Sequence, residues 1–294
     1  MMINIHNNIL SVNVNQLGGT LTSFVDKQTS AELLWQGDEK SWTGQDVVIF
    51  PFVGRLNNKS YTVDGKKYSL DIHGFVPTTK LDIVEARDQS VTLGCHFDER
   101  TLAQYPYKFN FLTTRSVDET ATLTTQFVVE NLDDKTIYFG LGGHPGLQLC
   151  GETNANGELE TTGNFLDFGK KVSLRYVTLD DNGHFVTGEK DFGAIDKLEL
   201  SKALMRQYKC IILQGMPSQF TFVRKDGKKI KFDIGDAPFL GVWSDEKFGE
   251  YMCVEPWLTL PDTIKPHSEL SQKPTILSLE KGKTYTYKYT MQVI

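Results

Sequence analysis

Apolar and polar residues alternate over several short runs of the chain. Residues 9–14 (ILSVNV), 90–97 (SVTLGCHF) and 120–130 (TATLTTQFVVE) each show it. A period of two predicts strands with one buried face. Near the C-terminus, Tyr285, Tyr287 and Tyr289 alternate with Thr286 and Lys288 and predict another. Two Asp-Gly pairs, Asp64-Gly65 and Asp226-Gly227, lie between strand-like runs. They predict type I′ hairpins, because both central residues of that turn need positive φ. Helical signals are few. Residues 99–104 allow one short turn, and Ser201 is placed to cap a brief helix over residues 201–207 (SKALMRQ). Many strands, many turns and little helix predict an all-β sandwich or barrel.

The chain has 294 residues, with neither a repeat at fixed period nor a Pro/Ser-rich linker. That predicts one domain over residues 1–294, large enough to bury a core without disulfide or metal support. The glycine-rich stretch 140–163 reads as loops on that domain. The net charge of −6 disfavours a nucleic-acid or anionic-membrane partner, both of which call for a basic face. Cys95, Cys150, Cys210 and Cys253 are widely spaced and read as ordinary buried thiols. The longest apolar stretch, residues 47–53, contains Pro51 and falls far short of the ~20 residues of a membrane helix. With no signal-peptide pattern at the start, the expected setting is cytoplasmic.

Four segments put an ionisable group beside Gly or Pro at the end of an apolar run. They are PFVGRL with Arg55, DIHGF with His73, GLGGHPGL with His144, and YMCVEPW with Glu255. Strand ends next to tight turns can converge on a pocket. Glu255 follows Met252-Cys253-Val254, where desolvation would raise its pKa and make it a base near neutral pH. The plain alternative is a strand-end glutamate facing water. Trp257 beside it offers a sugar-stacking face or a core side chain. His144 lies among glycines, which let a ligand approach closely, and its imidazole can give or take a proton. A turn histidine bonded to backbone is the alternative. Arg55 could fork two hydrogen bonds to hydroxyls or a carboxylate, or lie free on the surface. Other candidates are weaker. His96 and Asp98 are two ligands where zinc needs three protein groups, and residues 180–183 (DDNG) lack calcium-loop spacing and read as a turn. His6, His184 and His267 have no supporting context.

In combination and order, these segments resemble the aldose 1-epimerase family, which includes galactose mutarotase, and its LacX-like branch in particular. The resemblance runs over nearly the whole chain. It is carried by GRL with Arg55, IHGF with His73, GGHPGL with His144, and LGVWS leading to CVEPWLTLPD with Glu255. It implies a large, mostly antiparallel β-sandwich with an open groove on one sheet. It implies His144 as acid, Glu255 as base, and Arg55 and His73 as sugar-binding residues, with neither metal nor organic cofactor. The implied reaction interconverts the anomers of a hexose, on a monomer or homodimer. Ring opening would take the proton from the C1 hydroxyl and protonate the ring oxygen, with the two groups on either side of that edge. One departure stands out. The family's sugar-binding aspartate maps near Tyr208-Lys209, where no acid stands; Asp191 or Asp233 could take its place. A lysine there allows a phosphorylated or acidic sugar, or simply a looser pocket. A non-catalytic sugar-binding protein is a rival reading, and a glycan hydrolase or lyase a third.

Overall fold

A computed structural model describes residues 1–153, 159–160, 163–245 and 250–294. Its centre is a 15-stranded sheet in which every pairing is antiparallel. One end of the strand order is Val48–Ile49 and the other is Asp82–Arg87. The two halves face each other. The Phe50 ring, beside the first strand, stacks at 4.8 Å on Phe111, which belongs to a strand near the far end of the order. A sheet whose ends touch through side chains is a sandwich, as the alternation predicts. Phe109–Val117 and Thr122–Asn131 pair along their length and bury every second residue. One continuous apolar cluster reaches from Ile5 to Met291.

Strands form at Leu10–Asn15, Ser90–His96 and Thr284–Val293, at or near the alternating runs. Asp64-Gly65 makes the predicted turn, with φ of 52° and 75°, between Ser60–Val63 and Lys66–Ser69. Asp226-Gly227 also joins paired strands, but only Gly227 has positive φ. The turn is not type I′. Asp226 instead ion-pairs Arg224 at 2.5 Å and accepts from the Lys228 amide at 3.3 Å, which suits a longer loop. Helices occur at Glu99–Leu102 and Lys202–Tyr208, and Ser201 caps the second by accepting from the Leu204 amide. The stretch expected as loops, residues 140–163, is partly strand. Gly142–Gly143 and Gly146–Gln148 pair into the large sheet, because glycines there admit close neighbours. A Cβ at Gly143 would lie 2.6 Å from the Tyr289 ring. Residues 154–158 and 161–162 of that stretch are outside the described set.

A buried ion pair ties the two faces together behind this segment. The Arg115 guanidinium meets Asp46 at 2.7 Å, and both side chains are almost wholly buried. Asp46 also accepts from the Leu21 amide, while Arg115 donates to Thr125 and to the Gly19 carbonyl. Removing one partner of such a pair would strand the other charge in the core. Among the described residues, no helix is long and apolar enough to cross a membrane.

Candidate active site

The register of the large sheet sets the site. Gly142 pairs with Trp257 and Gly146 with Cys253, so His144 falls directly opposite Glu255. On the other side of Glu255, Gly241 pairs with it, and Ile212 pairs with Gly241. His144, Glu255, Gly241 and Ile212 thus form one row across neighbouring strands, on one face. Pro145 lies between the two short strands, and the Val254 amide donates to its carbonyl at 3.1 Å. The Val47 amide holds the His144 carbonyl from the opposite side.

His144, Glu255 and Ile212 of this row, with Trp257 over Gly241, line a cavity of about 870 Å³. His144 Nε2 and Glu255 Oε2 are 3.2 Å apart and both side chains are buried. The approach is close but poorly aligned. Neither Glu255 oxygen makes a well-formed hydrogen bond, and His144 Nδ1 has no partner. Such orphaned buried groups are rare unless something else is meant to meet them. Trp42 and Trp243 flank the imidazole at 5.3 and 5.8 Å, and Trp257 lies beside Glu255 with its indole nitrogen unpartnered. Without a side chain at Gly241, the Trp257 ring can lie against the sheet: a Cβ there would be 3.1 Å from it.

Burial dominates the electrostatics. It lowers the His144 pKa to about 4 and pushes Glu255 well above the usual carboxylate range, a rise that the nearby Trp257 indole N–H opposes and Asp46 adds to. Both shifts favour the uncharged forms, so the pair holds its one transferable proton on Glu255. Moving that proton across to His144 gives the charged arrangement with the acid on His144. The two groups lie side by side on the cavity floor. Adjacency suits the chemistry, because the two oxygens on an anomeric carbon are themselves neighbours.

Arg55 and His73 line the same cavity. The Gly54 amide donates to His73 Nδ1 at 3.2 Å and the His73 amide to the Gly54 carbonyl at 2.9 Å, which locks the two segments together. Accepting at Nδ1 leaves the His73 proton on Nε2. His73 holds φ at 64°, a left-handed conformation uncommon outside glycine. Gly74 follows at φ 80°, with the Phe50 carbonyl where a Cβ would go. Burial, then His144 and Arg55, lower the His73 pKa well below its ordinary value, so it serves as a neutral donor. Among the described residues, the Arg55 guanidinium has neither a hydrogen-bond nor an ion-pair partner. Its loop is braced by Asp262, the last residue of CVEPWLTLPD. The Asp262 amide donates to the Arg55 carbonyl, and its carboxylate meets Lys273 at 2.8 Å in a buried pair.

Neither Asp191 nor Asp233 fills the family's aspartate position. Both bond to their own turns, with the Gly193 and Gly235 amides, and neither lines the cavity. Lys209 does line it, and its ammonium donates to the Asp181 carbonyl. Sequence reasoning missed Trp42, His184 and Asp245, which also line the cavity. His184 stands at the end of the DDNG turn, where Asp180 accepts from its amide at 2.7 Å. Asp245 directly follows LGVWS, and that adjacency was the available signal. Asp98 caps the short helix Glu99–Leu102 by accepting from the Thr101 amide. His144, Cys253 and Glu255 bring three possible ligand atoms within 4.8 Å of one another. A metal ion there would occupy both His144 and Glu255.

An antiparallel sandwich with a buried histidine–glutamate pair in a cavity on one face is the galactose mutarotase-like class of fold. Comparison with known proteins agrees and narrows it. The chain belongs to the aldose 1-epimerase family, whose pattern matches residues 1–292. It is 27% identical to the chromosomal LacX protein of Lactococcus lactis subsp. lactis, over the full length of both. Among solved structures, it resembles a galactose mutarotase-related enzyme from Lactobacillus acidophilus at 26% identity and a TM-score of 0.90, covering 100% of this chain and 97% of that one. A galactose mutarotase-like protein from Lactobacillus casei matches at 25% identity and a TM-score of 0.90, over all of both chains.

Proposed function

We propose that the protein is an aldose 1-epimerase that interconverts the α and β anomers of a hexose. The observation that carries this reading is the cross-strand His144–Glu255 pair, 3.2 Å apart, buried, and without other well-formed partners. Glu255 takes the proton of the C1 hydroxyl while His144 gives one to the ring oxygen. The C1–O5 bond breaks, and its electron pair goes to the newly protonated oxygen. Rotation about C1–C2 turns the aldehyde, and reclosure on the other face returns both protons. No net proton is consumed, so one proton shared by the pair is enough for a cycle. Each positioned transfer is typically worth 10²–10⁴ in rate. Arg55 and the Nε2–H of His73 would hold hydroxyls, with Trp257 against the sugar face. Water and sugar supply everything else the reaction needs.

Exchange NMR between the anomers of glucose and galactose, with and without protein, tests this. Accelerated exchange that His144→Asn and Glu255→Gln each nearly abolish is the expected result. Saturable binding without faster exchange would make the protein a sugar binder. Wild-type rates in either variant would refute the assigned roles.

A further inference from the structure

A general acid has to be aimed. Where a histidine does such work, its second ring nitrogen is ordinarily tied by a hydrogen bond that fixes tautomer and orientation. Among the described residues, His144 lacks that tie. Its Nδ1 is buried without a partner, while Nε2 lies 3.2 Å from Glu255. Rotation of an imidazole about its bond to Cβ is soft, so something else must hold this one. Three rings surround it. His73 and Trp243 meet it edge to face, at 5.3 Å and 89° and at 5.8 Å and 71°. Trp42 lies closest to parallel, at 5.3 Å and 34°.

An irregular segment between the short strands Ala31–Glu32 and Val48–Ile49 brings Trp42 to this place. Two glycines from separate segments clear space for its indole. A Cβ at Gly44 would lie 2.5 Å from the ring, and one at Gly146 2.7 Å from it. The Trp42 carbonyl accepts from the Trp35 indole N–H at 2.7 Å and from the Asp38 amide at 3.1 Å. Ser41 beside it donates to Asp245 at 2.7 Å, which clasps the segment to the end of strand Phe239–Trp243. The indole also meets Tyr251 at 5.3 Å and 33°, and Trp35 stacks on Tyr251 at 4.9 Å. Trp42 is thus itself fixed, by backbone, clasp and buried aromatic packing.

Resting on the epimerase reading, we propose that Trp42 is a positioning residue, whose indole holds the His144 imidazole so that Nε2 stays on Glu255 and on the reacting edge of the sugar. The indole takes the place of the missing hydrogen bond at Nδ1. Turning the imidazole would drive its edge into the indole face, so the ring plane is fixed without a polar contact. The contact acts on the acid and not on the sugar. It therefore governs turnover and leaves sugar affinity alone.

In exchange NMR with glucose and galactose, Trp42→Ala should lower kcat about 10- to 100-fold and keep KM within about twofold. Trp42→Phe, which restores a flat ring, should recover most of the lost kcat. Gly44→Ala keeps the indole but pushes it aside, and should also lower kcat. In protein carrying isotope-labelled histidine, the His144 ring signals are assigned by their loss in His144→Asn. They should show one tautomer in the wild type and averaging between tautomers in Trp42→Ala. An unchanged kcat, a raised KM at constant kcat, or wild-type ring signals in Trp42→Ala overturns the proposal. Wild-type kcat and ring signals in Gly44→Ala overturn it as well, and decide the matter if loss of the indole unfolds the protein. A wild-type protein that accelerates neither sugar overturns the epimerase reading instead, and the ring signals still decide whether Trp42 holds His144.

Discussion

Glutamine at position 255 removes one member of the acid/base pair and exposes the titration of the other. The two buried groups act on stability with opposite sign. Burial raises the Glu255 pKa, so its contribution is full below the unfolded carboxyl value, about 4.3, and is lost as pH rises through the folded value. Burial lowers the His144 pKa to about 4, against about 6.5 unfolded. Its contribution is full above about 6.5 and is lost as pH falls toward 4. That gap corresponds to about 3 kcal/mol. Between pH 4 and 7 the two slopes offset each other in the wild type. In Glu255→Gln only the histidine slope remains. Because desolvation, not the carboxylate, is the cause of the His144 shift, the slope should survive the substitution. Urea unfolding of Glu255→Gln and of the His144→Asn/Glu255→Gln double variant, at several pH values from 7 to 4, isolates it by subtraction. The single variant should lose about 3 kcal/mol more than the double variant over that range. Parallel curves, within about 0.5 kcal/mol, would show that His144 is not held neutral and buried, and the argument for a shared proton would fall with it.

Other perturbations have definite expected outcomes. The pH profile of kcat/KM should be a bell, with an acid limb where His144 gains a second proton for the pair and an alkaline limb where Glu255 loses the shared one; both limbs belong to the pair, and pH-dependent exchange NMR reads them. Arg115→Met leaves Asp46 charged and unpaired in the core and should cost about 3–5 kcal/mol by denaturant unfolding. Gly143→Ala should cost about 1–3 kcal/mol, because the new methyl group meets the buried Tyr289 ring, and thermal melts would register it. Cadmium ions should inhibit exchange by binding His144, Cys253 and Glu255, with a thiolate absorption band that Cys253→Ser removes.

Local elements were legible in the sequence where a local rule governs them. The alternating runs became strands, Ser201 became a helix cap, and Asp64-Gly65 became the expected turn. Asp226-Gly227 departed because Arg224 offers Asp226 an ion pair that a two-residue turn would not accommodate. Glycine richness in residues 140–163 read as loop, yet Gly142, Gly143 and Gly146 are where strands, Trp257 and Tyr289 press closest. Composition cannot separate a glycine that frees the chain from one that admits a neighbour.

By itself the sequence determined the all-β class, the short capped helix, and the four segments that carry Arg55, His73, His144 and Glu255. These depend on period, turn chemistry and order along the chain. Only the tertiary structure decided that His144 lies opposite Glu255 at 3.2 Å, that Asp191 and Asp233 lie outside the cavity, and that Arg206 and Lys202 border it. Strand register across the large sheet sets the first, and the packing of turns and a helix around the cavity sets the others. The pairing that sets His144 opposite Glu255 joins segments more than a hundred residues apart, and no local pattern encodes it.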